Sequence, residues 1–236
     1  MLIRIGVLKP EPYKGIRIMA AFGLHEDIFA LIRPHLEDGM KILDFGCGEG
    51  AFSQRLIDAG MTVDGCDIDT DQVKAELRRK IKLDLDKDID PSMFPEKYDM
   101  LIAMEILEHL QNPWKYVSDC RELVKDGGLI VLSTPNISNF ISRLRFMMRG
   151  TLLAFEKADF VHGHITPLSF IQLENMFSKL GLESVAKGVA GPIPLFHFTG
   201  FSRFSLLRNT LLPLLYPFMS GPKKGRALVY VLRKKR

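Results

Sequence analysis

Three cysteines in 236 residues, Cys47, Cys66 and Cys120, are an odd number with no metal-ligand spacing. They exclude a disulfide framework and point to a reducing cytoplasm. No apolar run approaches the ~20 residues needed to cross a bilayer; the most apolar late stretch, Leu211 to Met219, is interrupted by two prolines. Met1 to Pro10 lacks both the apolar core and the small-residue cleavage site of a secretory leader. With no internal repeat and no low-complexity tract to divide it, the chain reads as one domain over residues 1–236.

Composition is otherwise that of a globular protein, 47% hydrophobic and 25% charged. The net charge of +4 is concentrated at one end: residues 222–236 carry Lys223, Lys224, Arg226, Arg233, Lys234, Lys235 and Arg236 with no acid. Such a run suits phosphate or an anionic membrane surface, although most short charge runs are solvated ends.

The densest chemical signal is Lys41 to Ser53, an apolar strand running into a loop with glycines at 46, 48 and 50 and out into a helix. Glycines so spaced let the backbone turn sharply and approach a ligand that a Cβ would block. Asp67 follows at the end of the next apolar run, 21 positions past Gly46, the distance at which doubly wound folds place a ribose-binding acid. Gly46, Gly48 and Ala51 also satisfy the dinucleotide pattern G-x-G-x-x-G/A, so a nicotinamide-dependent oxidoreductase is an alternative. Asp44 opposes it. A carboxylate two residues before the first glycine would repel a pyrophosphate and attract an ammonium.

Strands and helices alternate around this block as in a parallel sheet. Residues 1–24 read as an irregular arm with a helical turn near Ile16 to Phe22, and His25 to His35 carries a helical stripe. Phe52 to Ala59 is helical, Met61 to Asp67 a second strand, Thr70 to Lys80 a basic helix and Ile81 to Asp84 a third strand. Tyr98 to Met104 is apolar enough to be buried on both faces. Asn112-Pro113 opens a helix closed by Asp126-Gly127-Gly128, before a strand from Gly128 to Thr134. An amphipathic helix covers Phe140 to Met148 and another starts at Thr166-Pro167; Leu182 to Val189 and Ala227 to Leu232 are the last strands.

Lys41 to Ser53, Tyr98 to Leu110, Leu123 to Gly128 and Ser133 to Asn136 together resemble the class I S-adenosylmethionine-dependent methyltransferases, over about residues 25 to 185. The branch most resembled contains the ubiquinone-biosynthesis O-methyltransferases. The resemblance implies an α/β fold, a Rossmann-like three-layer α/β/α sandwich with a mostly parallel seven-stranded sheet whose last strand is antiparallel. It also implies S-adenosylmethionine as cofactor. Gly46, Cys47, Gly48 and Gly50 would surround its methionine end, Asp44 its ammonium, and Asp67, with Ile68 beside it, its ribose. Asp84 and Leu85 would meet the adenine, with Asp86 an alternative contact, and Met104 the sulfonium.

Relatives take an arginine from the helix before the first strand. Here His25 and Glu26 stand in that region, leaving Arg17 as a candidate by sequence proximity. Glu105, Glu108 and His109 have spacing that places them on one helical face. In related enzymes a similar constellation binds a divalent cation, with His162 or His164 as a further ligand here; the metal question stays open. His109 and His164 are the general-base candidates.

We expect methyl transfer to an oxygen or nitrogen of a small-molecule acceptor, with residues 137–165 and 191–225 as insertions covering it. Phe201 and Phe204 would serve an apolar or lipid-linked substrate. The cytoplasm, with peripheral membrane contact, is the expected location, and nucleic acid is a disfavoured partner. A non-catalytic cofactor- or RNA-binding protein using the basic tail is the remaining alternative.

Overall fold

The computed structural model describes residues 9–192, 210 and 214–235. Its strands are β1 (Lys41–Phe45), β2 (Thr62–Asp67), β3 (Arg79–Lys82), β4 (Tyr98–Met104), β5 (Val124–Pro135), β6 (Leu182–Ala190) and β7 (Ala227–Lys234). They form one sheet in the order β3-β2-β1-β4-β5-β7-β6. All pairings are parallel except those of β7 with β5 and β6. This is the mostly parallel α/β sheet with an antiparallel last strand that the resemblance implies.

Helices α1 (Leu24–Ile32), α2 (Ala51–Asp58), α3 (Pro113–Leu123), α4 (Phe140–Arg149), α5 (Lys157–Phe160) and α6 (Phe170–Lys179) fill the connections. The period of two in the central strands splits the core into two layers. Ile42, Met100, Ile102 and Val131 pack with Leu24, Ile28, Phe52 and Leu56 of α1 and α2. Leu43, Phe45, Leu101 and Ile130 pack with Tyr116, Val117, Leu173 and Phe177 of α3 and α6. Fully buried Asp64 on β2 accepts from Arg78 Nε (2.8 Å), Arg78 Nη2 (2.7 Å) and the Tyr98 hydroxyl (2.8 Å), bracketing β1 from both sides. Strand order reverses between β1 and β4, so their carboxyl ends open a crevice where α/β folds bind ligands.

Several expectations need correction. Thr70 to Lys80 is not a helix: one 3-10 turn spans Thr70–Gln72, and the chain then runs extended into β3, which starts at Arg79 rather than Ile81. Val73 and Ala75 are buried while Lys74, Glu76 and Arg78 are exposed, a period of two rather than 3.6. The Lys74 and Arg78 amides donate to the Glu49 and Val63 carbonyls, so no helical ladder is available to them. The expected helical turn near Ile16 to Phe22 is displaced: Tyr13 and Ile16 exchange backbone bonds of 2.9 Å around a tight turn, and a second turn, closed by the Leu24 amide on the Ala21 carbonyl at 3.1 Å, leads into α1.

Helix α3 ends at Leu123, not at the Gly127-Gly128 pair, which sits in a register shift of β5 between the Tyr98–Val124 and Met100–Leu129 pairings. The Ser169–Gln172 capping box, not Thr166, starts α6, because the Thr166 hydroxyl is spent on the Leu110 carbonyl. Within the basic tail, Arg233 and Lys234 belong to β7, and buried Lys234 donates to the Val124 carbonyl at 3.2 Å. Phe201, Phe204 and most of the 191–225 insertion lie outside the described residues.

Candidate active site

A cleft of about 780 Å³ opens at the carboxyl ends of β1 and β4. The glycine loop forms one wall. Gly46, Gly48 and Gly50 have φ of 99°, 55° and 89°, a region that side chains with a Cβ avoid. The Gly46 and Cys47 amides donate to the Cys66 carbonyl at 2.8 and 3.0 Å, tying the loop to β2. The Gly48 amide donates to Asp67 Oδ2 at 2.7 Å, so the acid at the end of β2 and the glycine loop form one unit. Asp44, at the end of β1, is 1% exposed and accepts the Ser53 hydroxyl at 2.5 Å. Burial pushes its carboxyl up to about 6, the Ser53 bond opposes this and the charge of Asp67 adds to it. A cationic ligand group beside it would restore the carboxylate, which suits this wall to an ammonium and a diol.

The opposite wall comes from the end of β4. Glu105 adopts a left-handed φ of 53°; its amide donates to the Ser133 carbonyl and its carboxylate accepts the Ser133 hydroxyl at 2.9 Å. A 3-10 turn, Leu107–His109, follows. The expected helical face of Glu105, Glu108 and His109 is therefore not formed, because Glu105 still pairs with β5 and only one turn fits before Leu110. Single ligand atoms of Glu108, His109 and His164 nevertheless lie within 4.8 Å of one another.

Glu108 is fully buried; Oε2 accepts from the Thr134 hydroxyl at 3.0 Å, while Oε1 is buried with no hydrogen-bond partner among the described residues. Burial, reinforced by Glu105, holds its carboxyl well above the usual range. Burial and the neighbouring His164 lower His109, whose ring meets that of His164 edge-on at 4.7 Å. His164 Nδ1 lies 2.7 Å from the Ala154 carbonyl, which assigns the proton to Nδ1 and leaves Nε2 as the free lone pair.

Of the residues singled out from sequence, Asp44, Gly46, Cys47, Gly48, Asp67, Met104, His109 and His164 all line this one cleft. Gly50, Ile68, Asp84 and Leu85 are not among its lining residues. Gly50 is a packing position, where a Cβ would sit 2.6 Å from that of Ala75. Ile68 is 62% exposed. Leu85 reaches within 3.6 Å of where a Gly46 Cβ would lie, which keeps it near the loop. Asp84 accepts the Asp86 amide, whereas both Asp86 oxygens are taken by Gln111 at 2.8 Å. Sequence reasoning missed Ser53, Arg145, Glu156, Asp159 and Arg226. Ser53 carried a signal, lying in the first turn after the glycines, whereas the others arrive from segments far away in sequence.

A family model described as a methyltransferase domain matches residues 19–187. The ubiquinone biosynthesis O-methyltransferase of Actinobacillus pleuropneumoniae is 33% identical over 111 residues, 42% of this chain and 47% of that protein. Its namesake from Cereibacter sphaeroides is 34% identical over 104 residues, 42% of each chain. The matches thus span less than half the length of these curated relatives. In structure, a SAM-dependent methyltransferase from Archaeoglobus fulgidus aligns with a TM-score of 0.61 at 18% identity, covering 89% of this chain and 94% of that one. Magnesium protoporphyrin IX methyltransferase from Synechocystis with bound SAH aligns at 0.57 and 15%, over 89% and 81%. The chain belongs to the methyltransferase domain family, among the class I S-adenosylmethionine-dependent methyltransferases.

Proposed function

We propose that this chain, read as one methyltransferase domain over residues 1–236, methylates an oxygen of a small-molecule acceptor. The observation that carries it is the pairing of two walls across one cleft: Asp44, Gly48 and Asp67 on one side, Glu108, His109 and His164 on the other. When bound, S-adenosylmethionine supplies an electrophilic methyl on a sulfonium. Asp44 would face its ammonium, the free lone pairs of Asp67 its ribose hydroxyls, and Leu85 and Asp84 its adenine.

Met104 and Ile106, between the walls, shield the reacting carbon from water. The bound cofactor would supply a methyl carbon to an acceptor oxygen held in line with it, with the sulfide as leaving group. The oxygen's proton passes to an imidazole. His109 is held below its ordinary pKa and is therefore a neutral acceptor at pH 7; alignment supplies much of the remaining rate. The named O-methyltransferase relatives support oxygen over nitrogen.

A covering role for residues 137–165 is supported by Arg145, Leu153, Ala154, Glu156, Asp159 and His164, all on the cleft lining. Exposed Phe146, Met147 and Met148 on α4 and Phe218 favour an apolar acceptor. Incubation with methyl-labelled cofactor and cell extract, followed by mass spectrometry of the labelled product, tests the proposal. A labelled small-molecule ether or ester supports it; label confined to protein or RNA overturns it.

One observation favours a metal-assisted version: the buried Glu108 carboxylate, with Oε1 lacking a partner among the described residues and one oxygen within 4.8 Å of two imidazoles, is a donor set suited to a divalent cation, which would draw the acceptor hydroxyl toward ionisation. Calorimetric titration of the chelator-treated protein with manganese or magnesium tests it. Binding lost in Glu108→Gln supports the cation; no heat in the unmodified chain removes it.

A further inference from the structure

The acids of the cleft are divided between its two walls. Asp44, Glu49 and Asp67 stand on the glycine-loop side, and Glu105, Glu108, Glu156 and Asp159 on the other. On that second side most charge is quenched. Burial raises the Glu105 carboxyl to about 7 and holds that of Glu108 well above its ordinary range, drawing both toward the neutral form. Glu156 is paired with Arg145 at 3.0 Å, and Asp159 accepts the Glu156 amide at 2.8 Å.

Arg226 differs from these. It lines the same cleft, is exposed, and makes no ion pair among the described residues. Residues 1–8, 193–209, 211–213 and 236, outside the described set, carry no Asp or Glu to supply one. Its charge reaches Glu105, where it opposes the effect of burial, yet that carboxyl still titrates at about 7.

The arginine is also seated with care. Its amide donates to the Ala190 carbonyl at 2.8 Å and its carbonyl accepts the Asn136 amide at 2.7 Å, which fixes it between the ends of β5 and β6 at the entry to β7. Buried Asn136 donates through Nδ2 to the Pro222 and Lys224 carbonyls at 2.8 and 2.7 Å, pinning the turn that delivers Arg226. Gly225 holds a φ of 76° where a Cβ would meet that of Val189 at 2.4 Å. At Gly191 a Cβ would lie 3.3 to 3.5 Å from Cβ, Cγ and Cδ of Arg226, so this second glycine leaves a lane for the arginine stem. An arginine kept for solubility needs no such seat.

The sheet order sets it apart from the cofactor. Under the function proposed above the cofactor lies at the ends of β1 and β4, whereas Arg226 opens β7, two strands beyond β4 and about 10 Å away at ordinary strand spacing. We propose that Arg226 is a specificity residue for the acceptor: it receives a carboxylate or phosphate of the small molecule, at a point separate from the oxygen that is methylated. This rests on the methyltransferase reading of the cleft and narrows its substrates to anionic acceptors. The acids of the glycine-loop wall repel the same anion, so the acceptor enters with its charge toward β7 and its hydroxyl toward the methyl donor. The product is an ether that keeps its negative charge.

To test this, protein-free cell extract is split on an anion exchanger at pH 8, and the retained and unretained pools are each offered to the full chain with methyl-labelled S-adenosylmethionine. Label should enter the retained pool, and the labelled product should bind the exchanger again. With the retained pool in serial dilution as probe, Arg226→Ala should raise the amount needed for half-maximal rate about ten-fold or more, a larger change than any fall in the plateau. Arg226→Lys should recover part of that loss. Benzoate should compete with the pool where neutral benzamide does not, a difference visible in the unmodified chain and lost in Arg226→Ala. Phosphatase treatment of the pool separates the two sources of charge: label abolished means a phosphate monoester, label preserved a carboxylate, and either agrees with the proposal.

Circular dichroism controls for folding, and calorimetry with S-adenosylmethionine controls for the neighbouring subsite. A cofactor affinity that falls in Arg226→Ala as far as the pool's does would assign the arginine to the cofactor and overturn the inference. Label confined to the unretained pool, equal inhibition by benzoate and benzamide, or half-saturation unmoved by Arg226→Ala also overturns it, while methyl transfer to a small molecule stands. Label in neither pool removes that function, and the inference with it.

Discussion

At the residue scale, Gly48 and Gly50 of one loop do different work. A Cβ on Gly50 would meet Ala75 at 2.6 Å in a left-handed backbone, whereas one on Gly48, with φ of 55°, would meet only the flexible Met19 thioether at 3.4 Å. Gly50→Ala should therefore cost about 2–4 kcal/mol in urea unfolding. Gly48→Ala should cost about 1–2 kcal/mol of stability and show its main effect as lost cofactor affinity in calorimetry. Asp44 makes a second prediction through its proton. In the free protein its carboxyl titrates at about 6, and an ammonium binds only the ionised form. Cofactor binding should release a proton, and affinity should fall as pH drops through 6. Asp44→Asn should flatten that dependence and weaken binding at pH 8 by about 1.5–3 kcal/mol, the range for a charge-assisted bond.

At the scale of elements, legibility in the sequence followed the length and purity of the pattern. Strands β1, β4 and β5 are apolar runs buried on both faces, and such runs permit few other structures. Residues 70–80 misled because Val73, Ala75 and Leu77 alternate for only a few positions amid charge, and the partners that hold them extended, Glu49 and Val63, are supplied by other elements. The acid pair Asp44 and Asp67 was readable because both end strands beside the glycines. The far wall was not, since its geometry depends on the segment after α4. There Ser142, fully buried and capped by Asn139, accepts the Leu153 amide at 3.0 Å. The next residue, Ala154, holds a φ of 67° and presents its carbonyl to His164. Ser142→Ala leaves that amide without its partner and should cost about 1–3 kcal/mol. If the segment positions His164, turnover should fall more than acceptor affinity does, a split visible as lower kcat at nearly constant KM.

At the scale of the whole molecule, the site and the fold compete through Glu108. Its carboxyl is buried between Thr134, Glu105 and two imidazoles, with one oxygen unpartnered among the described residues, and its folded pKa lies well above that of the unfolded chain. Glu105 adds a shift in the same direction, up to about 7. A raised carboxyl means that the native state holds more protons than the unfolded state. Stability therefore falls as pH rises from the unfolded value of about 4.5 through the folded one. His25 works against this below about pH 6.5, because its depressed pKa makes folding harder in acid, so the carboxyl effect stands alone only above that pH. The melting temperature of the chelator-treated chain should accordingly decline between pH 6.5 and 8.5. Glu108→Gln keeps the shape and removes the charge, so it should raise stability at pH 8 and reduce the slope to that left by Glu105 and Asp44, while methyl transfer is lost. A variant more stable and less active in this way would mark Glu108 as a group retained for chemistry at the expense of the fold. A variant no more stable than the parent at pH 8 would instead mean that the folded chain does not raise the Glu108 carboxyl, so that its charge sits in the cleft at no expense to the fold.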